Sequence, residues 1–122
     1  MPSIAVVGAS SNRDKFGNKC VRAYLSQGWT VYPVHPKESE VEGCRAYASV
    51  TDVPTPLDRV ALYLPPALGL TVLEPLASVE HADLILNPGT ENAALLARAA
   101  ELGLPARQDC AIVDIGLSPA DF

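Results

Sequence analysis

The sequence predicts an α/β fold in which a mostly parallel sheet lies between two helical layers. Three observations carry that expectation. Residues 4–7 form an apolar run rich in β-branched side chains that gives way at Gly8 to a small polar loop, and from Phe16 apolar residues recur at helical spacing through Cys20, Val21, Tyr24 and Leu25. Gly28 then stops the helix, and residues 29–34 supply a second apolar run closed by His35, Pro36 and Lys37, which completes a βαβ unit. Two further apolar runs, 58–64 and 82–86, are each followed by a helical pattern, the alternation expected of parallel strands with crossover helices.

Length and composition set the frame. The chain has 122 residues, enough for one domain over 1–122 that buries its core without disulfides or metal. It is 48% apolar and 19% charged, which excludes a disordered chain. A net charge of −5, with no basic stripe interleaved with aromatics, argues against nucleic acid. No apolar run is long enough to span a bilayer and none reads as a signal peptide, so no membrane association is expected and the cytoplasm is the expected location. Cys20, Cys44 and Cys110 are an odd number of unpaired thiols, as in a reducing compartment, with Cys20 on the inner face of the first helix. His35 and His81 lie far apart and neither joins a ligand cluster, so no metal site is expected.

Taken in order, each remaining segment has a local reason. Residues 38–56 are polar and turn-rich, with a short strand at 45–48 and a helical turn near 49–53. The third strand, 58–64, is stopped by Pro65 and Pro66. A helix follows over 67–78, with Pro75 an awkward guest near its end. The fourth strand ends in Asn87, Pro88, Gly89 and Thr90; a helix over 91–102 stops at Gly103. Residues 105–107 read as a short strand and 111–115 as an edge strand. If the sheet is parallel, the loops at 8–12, 63–66 and 87–90 share one edge, where open α/β sheets hold ligands.

Charge marks that edge. Five of the nine basic residues fall within the first 37 positions against one acid, so this segment carries +4 and the rest of the chain −9. Lys19 and Arg22 fit a solvated helix face, whereas Lys15 in the loop and Lys37 at a strand end stand where an anion would bind. The loop departs from the dinucleotide fingerprint, because Ser10 and Arg13 replace its second and third glycines. What remains, Ala9 to Lys15 with Ser10, Ser11 and Asn12 as donors before a helix N-terminus, suits a phosphate. No carboxylate stands at 34 or 35 for ribose hydroxyls; Lys37 instead suits a phosphorylated ribose, in NADP or coenzyme A. His35 either adds a hydrogen bond there or only ends the strand.

The ordered set VVGASSNRDKFGN, VYPVHPK, VALYLPPA, LILNPGTEN and RQDC resembles the stand-alone CoA-binding domain proteins, which are related to the N-terminal domain of the succinyl-CoA synthetase α subunit. The resemblance covers about residues 3–115. It implies a Rossmann-like fold that binds coenzyme A or an acyl-CoA. Gly8, Ala9, Ser10, Ser11, Asn12 and Arg13 resemble the family's phosphate loop, and Pro36 and Lys37 its basic contact to the phosphorylated ADP. Leu64, Pro65 and Pro66 match the loop lining the adenine or pantetheine side. Asn87, Gly89 and Thr90 stand at the last strand end, where Asn87-Pro88 departs slightly from the family pattern. The synthetases' phosphohistidine motif is not matched by either histidine, so a ligand-binding protein without its own catalytic residues is expected. Two other readings stay open, an NADP-dependent oxidoreductase and an interaction module with a decayed pocket, the former weakened by the lack of a Tyr-x-x-x-Lys pair. A homodimer through exposed helices, or a partner acyl-CoA enzyme, is compatible with the same residues.

Overall fold

Residues 2–122 are described by a computed structural model. The elements follow as β1 (Ser3–Val7), α1 (Phe16–Ser26), β2 (Thr30–Val34), β3 (Glu40–Val41), β4 (Cys44–Arg45), a 3-10 turn (Val50–Asp52), β5 (Arg59–Leu62), α2 (Pro66–Ala77), β6 (Leu84–Leu86), α3 (Ala93–Glu101), β7 (Ala106–Gln108), α4 (Ala111–Asp114) and a second 3-10 turn (Pro119–Asp121). The main sheet is parallel throughout, in the order β2-β1-β5-β6-β7. The chain leaves β1 toward β2 on one side and returns to β5 on the other. That reversal makes the C-terminal ends of β1 and β5 the topological switch point of the sheet.

Strand alternation sorts the core into two layers. Ala5, Val7, Val60, Leu62, Leu84 and Leu86 face α2, α3 and the Val50 turn, packing on Leu73, Leu76 and Leu95. Their neighbours Ile4, Val6, Ala61 and Ile85 face α1 and α4, against Cys20, Val21, Tyr24 and Ile112. A strand buried on both faces reads as a continuous apolar run, as these do. α2 continues through Pro75 to Ala77, and forgoes there the one ladder bond that an N–H at Pro75 would have made. The three cysteines are free thiols, and Cys20 is fully buried.

Two segments differ from expectation. The strand foreseen at 45–48 is a small hairpin: β3 pairs antiparallel with β4 through Glu42 and Gly43, both at positive φ (49° and 79°), a two-residue turn of the mirror-image kind that suits strand twist. Tyr47 then lies along β2, donating its N–H to Pro33 O (2.9 Å) and accepting from His35 N–H (2.9 Å), so the outer edge of β2 is covered. The edge strand expected at 111–115 is the helix α4. Asn87 Oδ1 takes the Ala111 N–H (2.8 Å), Asp114 N–H returns to Cys110 O (2.9 Å), and Ala111 and Ile112 are buried while Val113 is exposed, a helical rather than alternating pattern. An apolar run this short does not distinguish strand from helix by itself.

An ionic cluster fastens α4 to the sheet. Asp83, just before β6, accepts from Arg59 Nε (3.0 Å) and Arg107 Nη2 (2.9 Å), and Asp114 accepts from Arg59 Nη1 (2.9 Å) and Arg107 Nη2 (3.1 Å). Arg59 also donates to the Tyr24 hydroxyl (3.0 Å), which donates to Ala111 O (2.6 Å). Burial pushes the Tyr24 phenol up to about 12. The Arg107 guanidinium holds both the Asp83 and Asp114 carboxyls below their ordinary value. A depressed carboxyl stabilises the fold above its unfolded value, near 3.8, and the benefit is lost as pH falls through the lower folded value. Asp83→Asn is therefore expected to cost about 2 kcal/mol in urea unfolding at neutral pH. The gap from wild type should close as the wild-type carboxylate protonates below pH about 4. A gap independent of pH would assign the loss to packing.

Candidate functional site

The C-terminal ends of all five parallel strands open onto one cavity of about 1270 Å³. Gly8 to Ser10 follow β1, His35 and Pro36 follow β2, Tyr63 to Pro65 follow β5, Asn87 to Thr90 follow β6, and Cys110 follows β7. Lys15, Phe16 and Gly17, at the start of α1, complete the wall beside β1. Lys15, the N-cap residue of α1, makes no side-chain capping bond. The first N–H groups of a helix lack intrahelical partners and carry partial positive charge, so the helix start favours an anion, while Lys15 and Asp14 line the same wall with opposite charges.

Two glycines allow the loop to lie this close. Gly8 has φ +94°, and a Cβ there would stand 2.9 Å from the Tyr63 carbonyl carbon. A Cβ on Gly17 would stand only 2.4 Å from Gly8 O. Gly17 thus supplies the close helix-to-loop approach that the dinucleotide fingerprint assigns to its third glycine, displaced along the chain. Its signal in the sequence is a glycine just inside a helix start, where it otherwise lowers helix stability.

Of the candidate residues, Gly8, Ala9, Ser10, Lys15, His35, Pro36, Leu64, Pro65, Asn87, Gly89 and Thr90 line the cavity. Ser11, Asn12, Arg13, Lys37 and Pro66 lie outside its wall. Ser11 and Arg13 turn instead toward the connection after β2. Ser11 N–H donates to Glu38 Oε2 (2.8 Å) and its hydroxyl bonds the other carboxylate oxygen. Arg13 donates through Nε and Nη2 to Glu42 (both 3.2 Å). Asn12 works locally, its Oδ1 accepting the Asp14 N–H (3.0 Å).

Buried Asn18 ties these groups together. Its Nδ2 donates to Ser10 O (2.8 Å) and Glu42 Oε2 (3.0 Å), and its Oδ1 accepts from Arg22 Nε (2.7 Å). Arg22 in turn donates to Arg13 O (2.8 Å) and Phe122 O (3.0 Å). The Ser11 hydroxyl holds the Glu38 carboxyl below its ordinary value; the Asn18 amide, then Arg13, does the same for Glu42. The loop is therefore held by two carboxylates, Glu38 through Ser11 and Glu42 through Arg13 and Asn18. Neither was singled out from the sequence, where both stand in an undistinguished acidic stretch.

The polar groups farther along the edge are committed internally. Asn87, almost wholly buried, donates to Leu62 O (3.0 Å) and accepts from Ala111 N–H, and Thr90 Oγ1 donates to Asn87 O (2.7 Å). His35 Nδ1 accepts two backbone N–H bonds, from Lys37 and Glu38 (both 3.0 Å), which fixes the turn after β2. Among the described residues the buried Tyr63 hydroxyl has no hydrogen-bond partner, and burial pushes its ionisation up. Burial likewise raises the Cys20 thiol to about 12. His81 precedes β6, at the other end of the strands. Among the described residues no group of three His, Cys, Asp or Glu side chains could hold a metal ion, and no helix is long and apolar enough to cross a membrane.

A family model described as a CoA binding domain matches residues 2–116. The α subunit of an ADP-forming acetate–CoA ligase from Pyrococcus furiosus is 42% identical over 63 residues, 51% of this chain and 14% of that one. An ADP-forming acetate–CoA ligase from Methanocaldococcus jannaschii is 32% identical over 72 residues, 59% of this chain and 10% of its own. The chain therefore matches only a small part of these relatives. Among solved structures, a conserved hypothetical protein from Pyrococcus furiosus superposes with a TM-score of 0.87 at 32% identity, covering 93% of this chain and 99% of that one. A dinucleotide-forming acetyl-coenzyme A synthetase from Candidatus Korarchaeum cryptofilum gives 0.74 at 30% identity over 85% of this chain and 25% of the larger one.

The contact between Gly17 and Gly8 O yields a sign test. Gly→Ala inside a helix ordinarily stabilises by up to about 1 kcal/mol. Here the added methyl meets backbone, so Gly17→Ala is expected to destabilise by about 1 to 3 kcal/mol in urea unfolding. A gain in stability would show that the helix and loop are not in contact.

Proposed function

Because the chain belongs to the CoA-binding domain family, we propose that it binds coenzyme A or an acyl-CoA in the cavity at the switch point of the sheet. The observation that carries this reading is the joint presence there of the α1 N-terminus, the Gly8 to Ser10 loop and Lys15. In this reading the diphosphate lies on the loop and the helix start, and Lys37, exposed just outside the wall, meets the 3′-phosphate of the ribose. The apolar surfaces of Leu64, Pro65 and Leu68 then take the adenine or pantetheine portion. The protein acts as a cytoplasmic carrier, sensor or partner of an acyl-CoA enzyme and supplies no chemistry of its own. His35 spends Nδ1 on the backbone N–H groups of Lys37 and Glu38.

Thermal unfolding with CoA, dephospho-CoA, NADP and NAD tests this reading. A ligand at a hundredfold excess over its Kd stabilises by about 2.7 kcal/mol. CoA is expected to give the largest shift. A larger shift with NADP would favour an oxidoreductase, and no shift with any of the four would favour an interaction module. The lysines separate by ligand: Lys15→Ala is expected to weaken CoA and dephospho-CoA alike, whereas Lys37→Ala weakens CoA alone, by about tenfold in titration calorimetry. If Lys37→Ala leaves the preference between the two ligands unchanged, Lys37 is a surface charge only.

A further inference from the structure

We infer that Glu38 is a specificity-determining residue of this site: its carboxylate holds the loop donors that a ribose phosphate would otherwise take, and so limits the preference for a phosphorylated over an unphosphorylated ribose. The inference rests on the CoA reading above. Ser11 presents two donors, its N–H and its hydroxyl, to one face of the loop, and both converge on the Glu38 carboxylate. Two converging donors of this kind form an anion site, and in this structure the anion is the chain's own.

The carboxylate arrives together with a cation. Because His35 Nδ1 accepts the N–H groups of both Lys37 and Glu38, the backbone of the turn after β2 is fixed where a basic and an acidic residue follow one another in the chain. In α/β nucleotide sites a carboxylate after the second strand favours free ribose hydroxyls, and a basic group there favours a ribose phosphate. Positions 34 and 35 hold Val34 and His35, so the sequence places no carboxylate there. The fold supplies one from Glu38, against the loop after β1. A phosphate drawn to Lys37 meets this charge and must either bear its repulsion or displace it from Ser11. An unphosphorylated ribose meets neither cost.

Glu42 marks the difference between this role and a fastening role. It also ties down the loop, but its partners are Arg13 and Asn18, behind the wall, and it faces no donor left over for a ligand.

Titration calorimetry of CoA and dephospho-CoA against wild type, Glu38→Gln and Glu38→Ala provides the test. Both substitutions are expected to raise the preference for CoA over dephospho-CoA by about five- to tenfold at low salt, the scale of one nearby like charge in a water-exposed site, with the gain shrinking as salt is added. Glu38→Gln keeps the side-chain length and one acceptor for Ser11, so it separates charge from loosening of the loop. Binding with an unchanged or reduced preference in both variants would overturn the inference and leave the CoA reading standing. Absence of binding by either ligand to all three proteins, with unfolding midpoints unchanged, would overturn that reading and this inference with it.

Discussion

The approach of Gly17 to the Gly8 carbonyl is the constraint on which the site depends. It seats the first turn of α1 directly on the loop after β1, so the unpaired N–H groups of the helix open at the switch point of the sheet rather than one layer away. The conformation of Gly8, at φ +94° and against the Tyr63 backbone, belongs to the same contact. Every other feature of that wall, from Lys15 to the Asn18 link with Ser10, takes its position from this approach. In energetic terms it is a backbone packing contact, and its value lies in what it leaves exposed.

Behind the wall, charge is divided by role. The basic character of the first 37 residues suggests a single anion site, but the structure distributes those cations. Arg13 is spent on Glu42, Arg22 on Asn18 and two carbonyls, and Lys19 lies over the Phe16 ring (5.2 Å). Among the described residues Lys15 and Lys37 form no ion pair. Exposed pairs such as Arg13 with Glu42 add little to global stability, so their effect here is on loop geometry. The cluster of Arg59, Arg107, Asp83 and Asp114 differs: it is less exposed, shared among four groups, and joins α4 to three strands.

The parts of the fold legible in the sequence are those fixed by short-range physics. The apolar runs of β1, β2, β5 and β6 are buried on both faces and read as continuous; their stops, Gly8, Pro65 and Asn87 to Gly89, act through backbone chemistry that a sequence displays directly. The shared edge of the strand-end loops is therefore legible in the sequence. Residues 111–115 read as a strand and fold as a helix, since so short an apolar run fits either period until Asn87, 24 positions away, takes the Ala111 N–H. The loop's own orientation was equally hidden. Which of Ser10, Ser11 and Arg13 faces inward depends on Glu38 and Glu42, and side-chain pairs at separations of 27 and 29 residues leave no periodic trace.

The covering of β2 by Tyr47 bears on how the molecule behaves in a crowded solution. An uncovered strand flank is a template for another chain, and here one flank is occupied by the Tyr47 segment. The opposite flank, β7, is three residues long and carries Arg107, whose guanidinium is already engaged by Asp83, Asp109 and Asp114. A short, charged flank pairs poorly with an incoming strand. Both lateral routes to strand addition are thus blunted, so self-association by sheet extension is disfavoured even at high concentration, and the open end of the sheet remains available to small molecules.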